Sequence, residues 1–174
     1  MNKKLTSIFL CICICISMFV GCSQNNGSDK QTKESGDTAI QTAETDEELL
    51  ATVINEIYRN IDITSLSDAT DTALKELFFI NPEYVESYAI RYTDFKYGVA
   101  DVVIVKPNPS YKQDILDAFE SRKQSRISEC KNYDIHNSYQ IAQKAEIYER
   151  GGYLIMLMLE DNESAKKVIE KYIV

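Results

Sequence analysis

The 174-residue chain carries 27 acidic and 19 basic residues, which gives a net charge of −8 at neutral pH. Nucleic-acid binding needs a basic surface that displaces phosphate counter-ions, so this composition argues against a nucleic-acid partner. Zinc sites need clustered histidine and cysteine ligands, whereas the chain has 1 histidine and no cysteine pair beyond its first apolar segment. The sequence therefore predicts no metal and no cofactor.

The start of the chain has the pattern of an export signal. Lys3 and Lys4 precede an uncharged apolar run at residues 5–20. This run is shorter than the roughly 20 residues that a membrane-spanning helix needs, and its length favours a secretory signal. An uncleaved short membrane anchor is the alternative interpretation.

The apolar run ends in Phe-Val-Gly-Cys at residues 19–22, which resembles the lipobox of bacterial lipoproteins. Signal peptidase needs a small residue before the cut, and the thiol after the cut carries a diacylglyceryl group. Gly21 precedes Cys22, whereas the earlier cysteines follow leucine or isoleucine. We therefore predict a signal peptide at residues 1–21 and lipidation of Cys22. Lipid chains, which contribute about 0.8 kcal/mol per buried CH₂, would hold the protein on the extracytoplasmic face of the cell membrane.

Residues 22–45 are predicted to form the lipidated cysteine and a disordered tether. Ile40 is the only large aliphatic residue among many serines, glutamines, asparagines and threonines, so this stretch cannot bury enough apolar surface to offset its ordering entropy. A flexible coil of this length averages roughly 25 Å and extends to roughly 75 Å. Residues 46–174 are predicted to form a single α+β domain.

The domain is predicted to open with two helices. Thr45 and Glu48 have the spacing of a capping box. Apolar residues at helical spacing follow and predict the first helix: Leu49, Leu50, Val53, Ile54, Ile57 and Tyr58. Residues 60–68 are predicted to be a connection and residues 70–78 a second, short helix. Asn81 followed by Pro82 predicts one further helical turn.

Two strands and a long helix follow. Residues 87–93 alternate between apolar and polar side chains and predict a strand with one buried face. Residues 99–105 predict a second strand that is apolar on nearly both faces, with Asp101 as the exception. Asn108 and Pro109 predict the start of a long helix that continues to about Lys131.

The same order of elements then repeats. A third strand is predicted within residues 139–149, and Gly151-Gly152 predicts a tight hairpin turn. Residues 153–159 predict a fourth strand that is apolar on both faces, and Asp161 or Asn162 is predicted to cap a final helix.

These elements predict a four-stranded antiparallel sheet made of two β-hairpins in a ββαββα arrangement, preceded by two N-terminal helices. The strands with two apolar faces belong in the centre, which gives the order first, second, fourth, third. We expect the two later helices to cover one face of the sheet and the N-terminal helices to cover the other.

Several segments together resemble a known family. Leu-Phe-Phe-Ile-Asn-Pro-Glu-Tyr-Val at residues 77–85, Ala-Asp-Val-Val-Ile-Val-Lys at 100–106 and Gly-Tyr-Leu-Ile-Met at 152–156 follow an amphipathic helix. This pattern resembles domain of unknown function 4358, found in small lipoproteins of Gram-positive bacteria. Phe79 stands where that family often has glycine. The resemblance implies a location and a fold, and it implies no activity.

Two groups of residues are candidate contact sites. Arg122 and Arg126 are one helical turn apart beside apolar residues, and in an acidic chain such a pair favours an anion or carboxylate partner. The alternative is that both side chains cover the helix edge and pair with internal carboxylates. Leu154, Met156 and Met158 form one face of the fourth strand and predict either an adaptable groove for a peptide or partner, or ordinary core.

The sequence contains no recognisable catalytic frame, so no catalytic residue is predicted. His136 lies in a polar stretch and is interpreted as a surface loop residue. The favoured function is a non-enzymatic binding module in the cell envelope with a protein, peptide or small ligand as partner. The alternatives are an envelope hydrolase that uses carboxylates and a regulator or inhibitor that docks a membrane enzyme through a sheet edge.

Overall fold

The computed structural model describes residues 45–174, so the predicted signal peptide, Cys22 and the tether up to residue 44 lie outside the described residues. The helices are α1 (Asp46–Tyr58), α2 (Asp71–Leu77), α3 (Lys112–Cys130), α4 (Ser138–Gln143) and α5 (Asn162–Tyr172). The strands are β1 (Leu66–Asp68), β2 (Val85–Thr93), β3 (Asp101–Pro107), β4 (Glu146–Arg150) and β5 (Tyr153–Met158). Single 3₁₀ turns span Pro82–Tyr84, Phe95–Tyr97 and Pro109–Tyr111.

The five strands form one antiparallel sheet in the order β1-β2-β3-β5-β4. The α+β class is confirmed, and the four long strands lie in the predicted order. The prediction of four strands is wrong because β1 pairs with β2, with Leu66 opposite Thr93. A strand of three residues is too short to show the alternation on which the prediction depended. The ββαββα order also lacks α4, a short helix within the segment assigned to the third strand.

Each face of the sheet carries its own apolar core. The first core is built with α2, α3 and α4, and its buried members include Leu74, Phe78, Val103, Val105, Phe119, Ala142, Leu154, Met156 and Met158. The second core is built with α1 and α5, and its buried members include Leu50, Val53, Ile57, Val102, Ile104, Ile155, Leu157, Ala165 and Ile169. Both faces of β3 and β5 are therefore buried, as expected for central strands.

The predicted distribution of helices over the two faces is wrong. The later helices α3 and α5 lie on opposite faces, and the N-terminal helices α1 and α2 are also separated. The physical reason is that α2, α3 and α4 together cover the first face and leave no room there for α5. The apolar side of α5, with Ala165 and Ile169, packs beside α1 on the second face.

The capping box at the start of α1 is present as predicted. The Thr45 hydroxyl accepts a hydrogen bond from the Glu48 amide at 3.3 Å, and the Glu48 carboxylate accepts one from the Thr45 amide at 3.1 Å. We expect Thr45→Ala to lower the free energy of unfolding by about 1 kcal/mol, since it leaves helix amides without a partner. Urea unfolding measures this change, and Thr52→Ala, at an exposed position inside the same helix, is expected to be neutral or slightly stabilising. Equal effects of the two substitutions would contradict the role of the cap.

Candidate functional site

A carboxylate and two guanidinium groups form an ion cluster between β3 and α3. Asp101, Arg122 and Arg126 are 0 %, 4 % and 2 % exposed. The Asp101 Oδ2 atom accepts hydrogen bonds from Arg122 Nη2 at 2.9 Å and from Arg126 Nε at 2.9 Å, and Asp101 Oδ1 accepts one from Arg126 Nη2 at 2.8 Å. Every charged group at the centre of this cluster is therefore paired.

Every guanidinium nitrogen of the two arginines makes at least one hydrogen bond. Arg122 donates to the carbonyl of Leu77 at 3.2 Å, and its guanidinium carbon lies 4.6 Å from the centre of the Phe78 ring. Arg126 donates to Glu129 at 3.0 Å. The pair therefore has the internal carboxylate partner of the alternative interpretation. Its side chains are buried within the domain rather than spread over the helix edge. An external anion has no access to them in this structure.

In this cluster, the opposite charges offset the effect of burial on the pKa of each group. Burial raises the pKa of Asp101, but the charges of Arg126 and Arg122 outweigh it and bring that pKa below its ordinary value. Burial likewise opposes the charged form of Arg126, and Asp101 followed by Glu129 raises its pKa above the ordinary value. The charged state of each group therefore depends on the presence of the others.

Ionisation of Asp101 predicts a specific dependence of stability on pH. Because its folded-state pKa lies below the ordinary value of 3.8, the charged form stabilises the fold above that pH, and this contribution is lost as the pH falls toward and through the folded-state pKa. We expect the difference in free energy of unfolding between wild type and Asp101→Asn to be constant above about pH 5. It should shrink as the pH falls from 3.8 toward the folded-state pKa, by at most about 1.4 kcal/mol per pH unit. Urea unfolding of both chains over this range measures it, and a difference that stays constant to about pH 2.5 would contradict the assignment.

The ion cluster fixes the turn between β2 and β3. Arg126 Nη2 donates to the carbonyl of Thr93, and the Thr93 amide donates to Asp101 Oδ1 at 3.4 Å. The Thr93 hydroxyl then donates to the carbonyl of Gly98 at 2.8 Å and accepts from the amide of Ala100 at 3.2 Å. The position of residues 98–100 is therefore set by buried polar contacts that lead back to the two arginines.

A cleft of about 730 Å³ lies next to this turn. It is formed by the end of α1, residues 60–64, residues 97–100 and the junction between β5 and α5, with His136 and Ile141 completing the wall. Tyr58 links two of these parts, since its hydroxyl donates to the carbonyl of Ala100 at 2.8 Å. The volume lies within the roughly 300–1,000 Å³ of small-molecule sites, so this cleft is the candidate functional site.

Four of the seven residues with positive φ in the described range line the cleft or adjoin a residue that lines it. Ser65, His136 and Asn137 have φ angles of 61°, 51° and 59°, and Gly98 has a φ of 104°. Such conformations cost of order 1–3 kcal/mol for residues other than glycine and persist only where the surrounding structure enforces them. A Cβ atom on Gly98 would lie 3.1 Å from Ser138 Oγ, so a side chain at residue 98 would crowd the close approach between the turn at 97–100 and the segment at 135–138.

The second predicted contact surface is not accessible. Leu154, Met156 and Met158 are 1 %, 0 % and 0 % exposed and belong to the first core. Met156 lies opposite Val103 of β3. The core interpretation of this face therefore describes the structure, and the groove hypothesis is wrong because α2, α3 and α4 cover the face.

Comparison with known families gives one match. A family model described as "Domain of unknown function (DUF4358)" matches residues 59–159. The chain belongs to this family. No curated protein and no solved structure matches the chain.

The DUF4358 region contains the ion cluster and most of the cleft wall. It includes Asp101, Arg122 and Arg126, together with the cleft residues from Asn60 to Leu159. The family resemblance predicted from the sequence is confirmed. The helices α1 and α5, which complete the second core, lie outside the matched region. The cleft is thus lined partly by residues of the DUF4358 region and partly by residues of the flanking helices α1 and α5.

Two further properties of the DUF4358 protein concern residues 45–174 only. Within this range, no group of three or more histidine, cysteine, aspartate or glutamate residues is arranged to hold a metal ion. None of the helices in the described range combines the length and apolar character that crossing a membrane requires.

Proposed function

We propose that the protein is a lipid-anchored binding module on the extracytoplasmic face of the cell membrane, and that its ligand occupies the cleft beside the β2–β3 turn. The Gly21-Cys22 pair at the end of the apolar run supports the anchor. The observation that carries the binding function is the cleft itself, because its wall is held by the Thr93 contacts to Gly98 and Ala100. A rigid, partly apolar concave site is typical of ligand binding.

The cleft lies at the end of α1 that is farther from the start of the described domain. At the start of α1, Asp46 accepts hydrogen bonds from Lys106 at 2.6 Å and from Tyr153 at 2.9 Å, whereas Tyr58 at the other end contacts the cleft wall. A helix of 13 residues separates these two points by about 20 Å. Residue 45 and the cleft therefore lie near opposite ends of α1.

The lipid anchor is tested by Cys22→Ala. We expect the wild-type protein to fractionate with membranes and to carry a diacylglyceryl thioether at residue 22 in mass spectrometry. Cys13→Ala is the matched control, because Cys13 lies within the apolar run after isoleucine and its loss should leave lipidation intact. A Cys22→Ala chain that is cleaved and still sediments with membranes would contradict the anchor.

The binding site is tested by crosslinking from the anchored protein in cells. A photoreactive residue at position 136, in the cleft wall, is expected to capture a ligand. The same residue at position 83, which is exposed and does not line the cleft, is expected to capture none. Identical products from both positions would contradict a role for the cleft.

A carboxylate-dependent hydrolase remains the second candidate function. Four acidic residues line the same cleft: Glu56, Asp62, Glu160 and Asp161. Most glycoside hydrolases use a pair of carboxyl groups at a defined separation as their catalytic groups. Turnover of cell-envelope glycans that disappears in Asp62→Asn/Glu160→Gln would favour this function over binding alone.

A further inference from the structure

The charged residues that line the cleft are all acidic. Its lining contains four carboxylates and neither lysine nor arginine. Glu56 is neutralised by Lys171 at 3.0 Å, and Asp161 is engaged in capping α5 through Ser164. Among residues 45–174, neither Asp62 nor Glu160 forms an ion pair, and both are exposed. Two carboxylates at the rim are therefore free to receive a positive charge.

The floor of the cleft is apolar. Ile57, Val99 and Leu159 are already buried within the domain. The apolar surface that stays accessible in the cleft belongs to the half-buried Ile61, Ile63 and Val168. An occupant with exposed hydrocarbon gains free energy by covering such a floor. A bare metal ion is not favoured, since the described residues hold no cluster of three or more histidine, cysteine, aspartate or glutamate ligands.

The combination of rim and floor specifies the ligand. We propose that the cleft binds a short peptide segment in which apolar side chains alternate with lysine or arginine. The apolar side chains cover Ile61, Ile63 and Val168, and the cationic groups pair with Asp62 and Glu160 at the rim. This inference rests on the proposed binding function and adds the chemistry of the ligand. A cleft of about 730 Å³ accommodates a segment of small-molecule size rather than a folded surface.

Calorimetry with two matched probes tests the ligand class. The full anchored protein in non-ionic detergent is titrated with the N-acetylated, C-amidated tetrapeptide Leu-Lys-Leu-Lys, and separately with Leu-Glu-Leu-Glu. We expect binding of the lysine peptide alone. Its dissociation constant should rise when the salt concentration is increased from about 0.05 M to about 0.5 M, because the rim charges are solvent-exposed and screened.

Paired variants locate the interaction. Asp62→Asn/Glu160→Gln is expected to weaken binding of the lysine peptide about fivefold to tenfold, the effect of losing two partly exposed ion pairs. The matched control is Glu76→Gln/Glu83→Gln, which removes the same charge from exposed positions that do not line the cleft. This control should leave the affinity unchanged.

Three results would overturn the inference: no binding of the lysine peptide, equal or tighter binding of the glutamate peptide, or equal weakening by both double variants. Tight binding of the glutamate peptide would reject the cationic ligand while leaving a binding function in place. Crosslinking from position 136 decides separately whether the cleft binds anything at all, so the two failures are distinguishable.

Discussion

Asp101→Asn is expected to lower the free energy of unfolding by about 3–5 kcal/mol, since it leaves two buried arginines without their shared counter-charge. Asparagine has nearly the same shape as aspartate, so packing changes little. The decrease in the free energy of unfolding therefore measures the effect of removing the negative charge. The buried positions of Arg122 and Arg126 prevent water from replacing the carboxylate. Denaturant unfolding monitored by circular dichroism at neutral pH measures the change.

A surface ion pair provides the control for this experiment. Arg91 donates to Asp68 at 2.6 Å, but the Asp68 side chain is 66 % exposed. Asp68→Asn is expected to cost less than about 1 kcal/mol. The combined Asp101→Leu/Arg122→Met/Arg126→Met chain is expected to recover much of the lost stability, because no charge is then left buried. An Asp101→Asn protein within 1 kcal/mol of wild type would show that the cluster is not needed for stability.

Gly98→Ala is expected to destabilise the domain by about 2–3 kcal/mol and to loosen the cleft wall. Gly98 has φ 104° and ψ −166°, a region that is essentially restricted to glycine. The new methyl group would also meet Ser138 Oγ at 3.1 Å. Thermal unfolding measures the loss of stability, and hydrogen exchange of the amides at residues 97–100 measures the loosening.

Gly152 in the β4–β5 hairpin provides a comparison without steric crowding. It also has a positive φ, 82°, but nothing lies within 4 Å of a Cβ atom placed there. Gly152→Ala should therefore cost only about 1 kcal/mol, the price of a left-handed backbone for alanine, with no change in hydrogen exchange at the cleft. An equal effect of the two substitutions would show that the contact between residue 98 and the segment at 135–138 is unimportant.

Local patterns were sufficient to predict most of the elements. The helical spacing from Leu49 to Tyr58 and the capping box identified α1, and Gly151-Gly152 identified the β4–β5 hairpin. The two-faced apolar character of β3 and β5 also placed them in the centre of the sheet, since only a central strand with helices on both sides buries both faces. These features are encoded within short stretches of sequence.

Features that depend on distant residues were not predicted. Asp101 was recognised as an exception in an apolar strand, and Arg122 and Arg126 as an unusual pair, but no local signal joined them. The face on which α5 packs depends on how much room α2 and α4 leave beside α3. The cleft is assembled from four separated segments, so its existence follows from the tertiary structure alone.

The placement of β5 has a consequence for how the chain acquires its structure during synthesis. β5 is the last strand to be made, yet it lies between β3 and β4 and sends alternate side chains into both cores. Met156 fills one core while Ile155 fills the other. Neither core can be completed before residues 153–158 are synthesised, so both cores should form in one late cooperative step. A nascent or truncated chain that ends before these residues is therefore expected to remain sensitive to proteases.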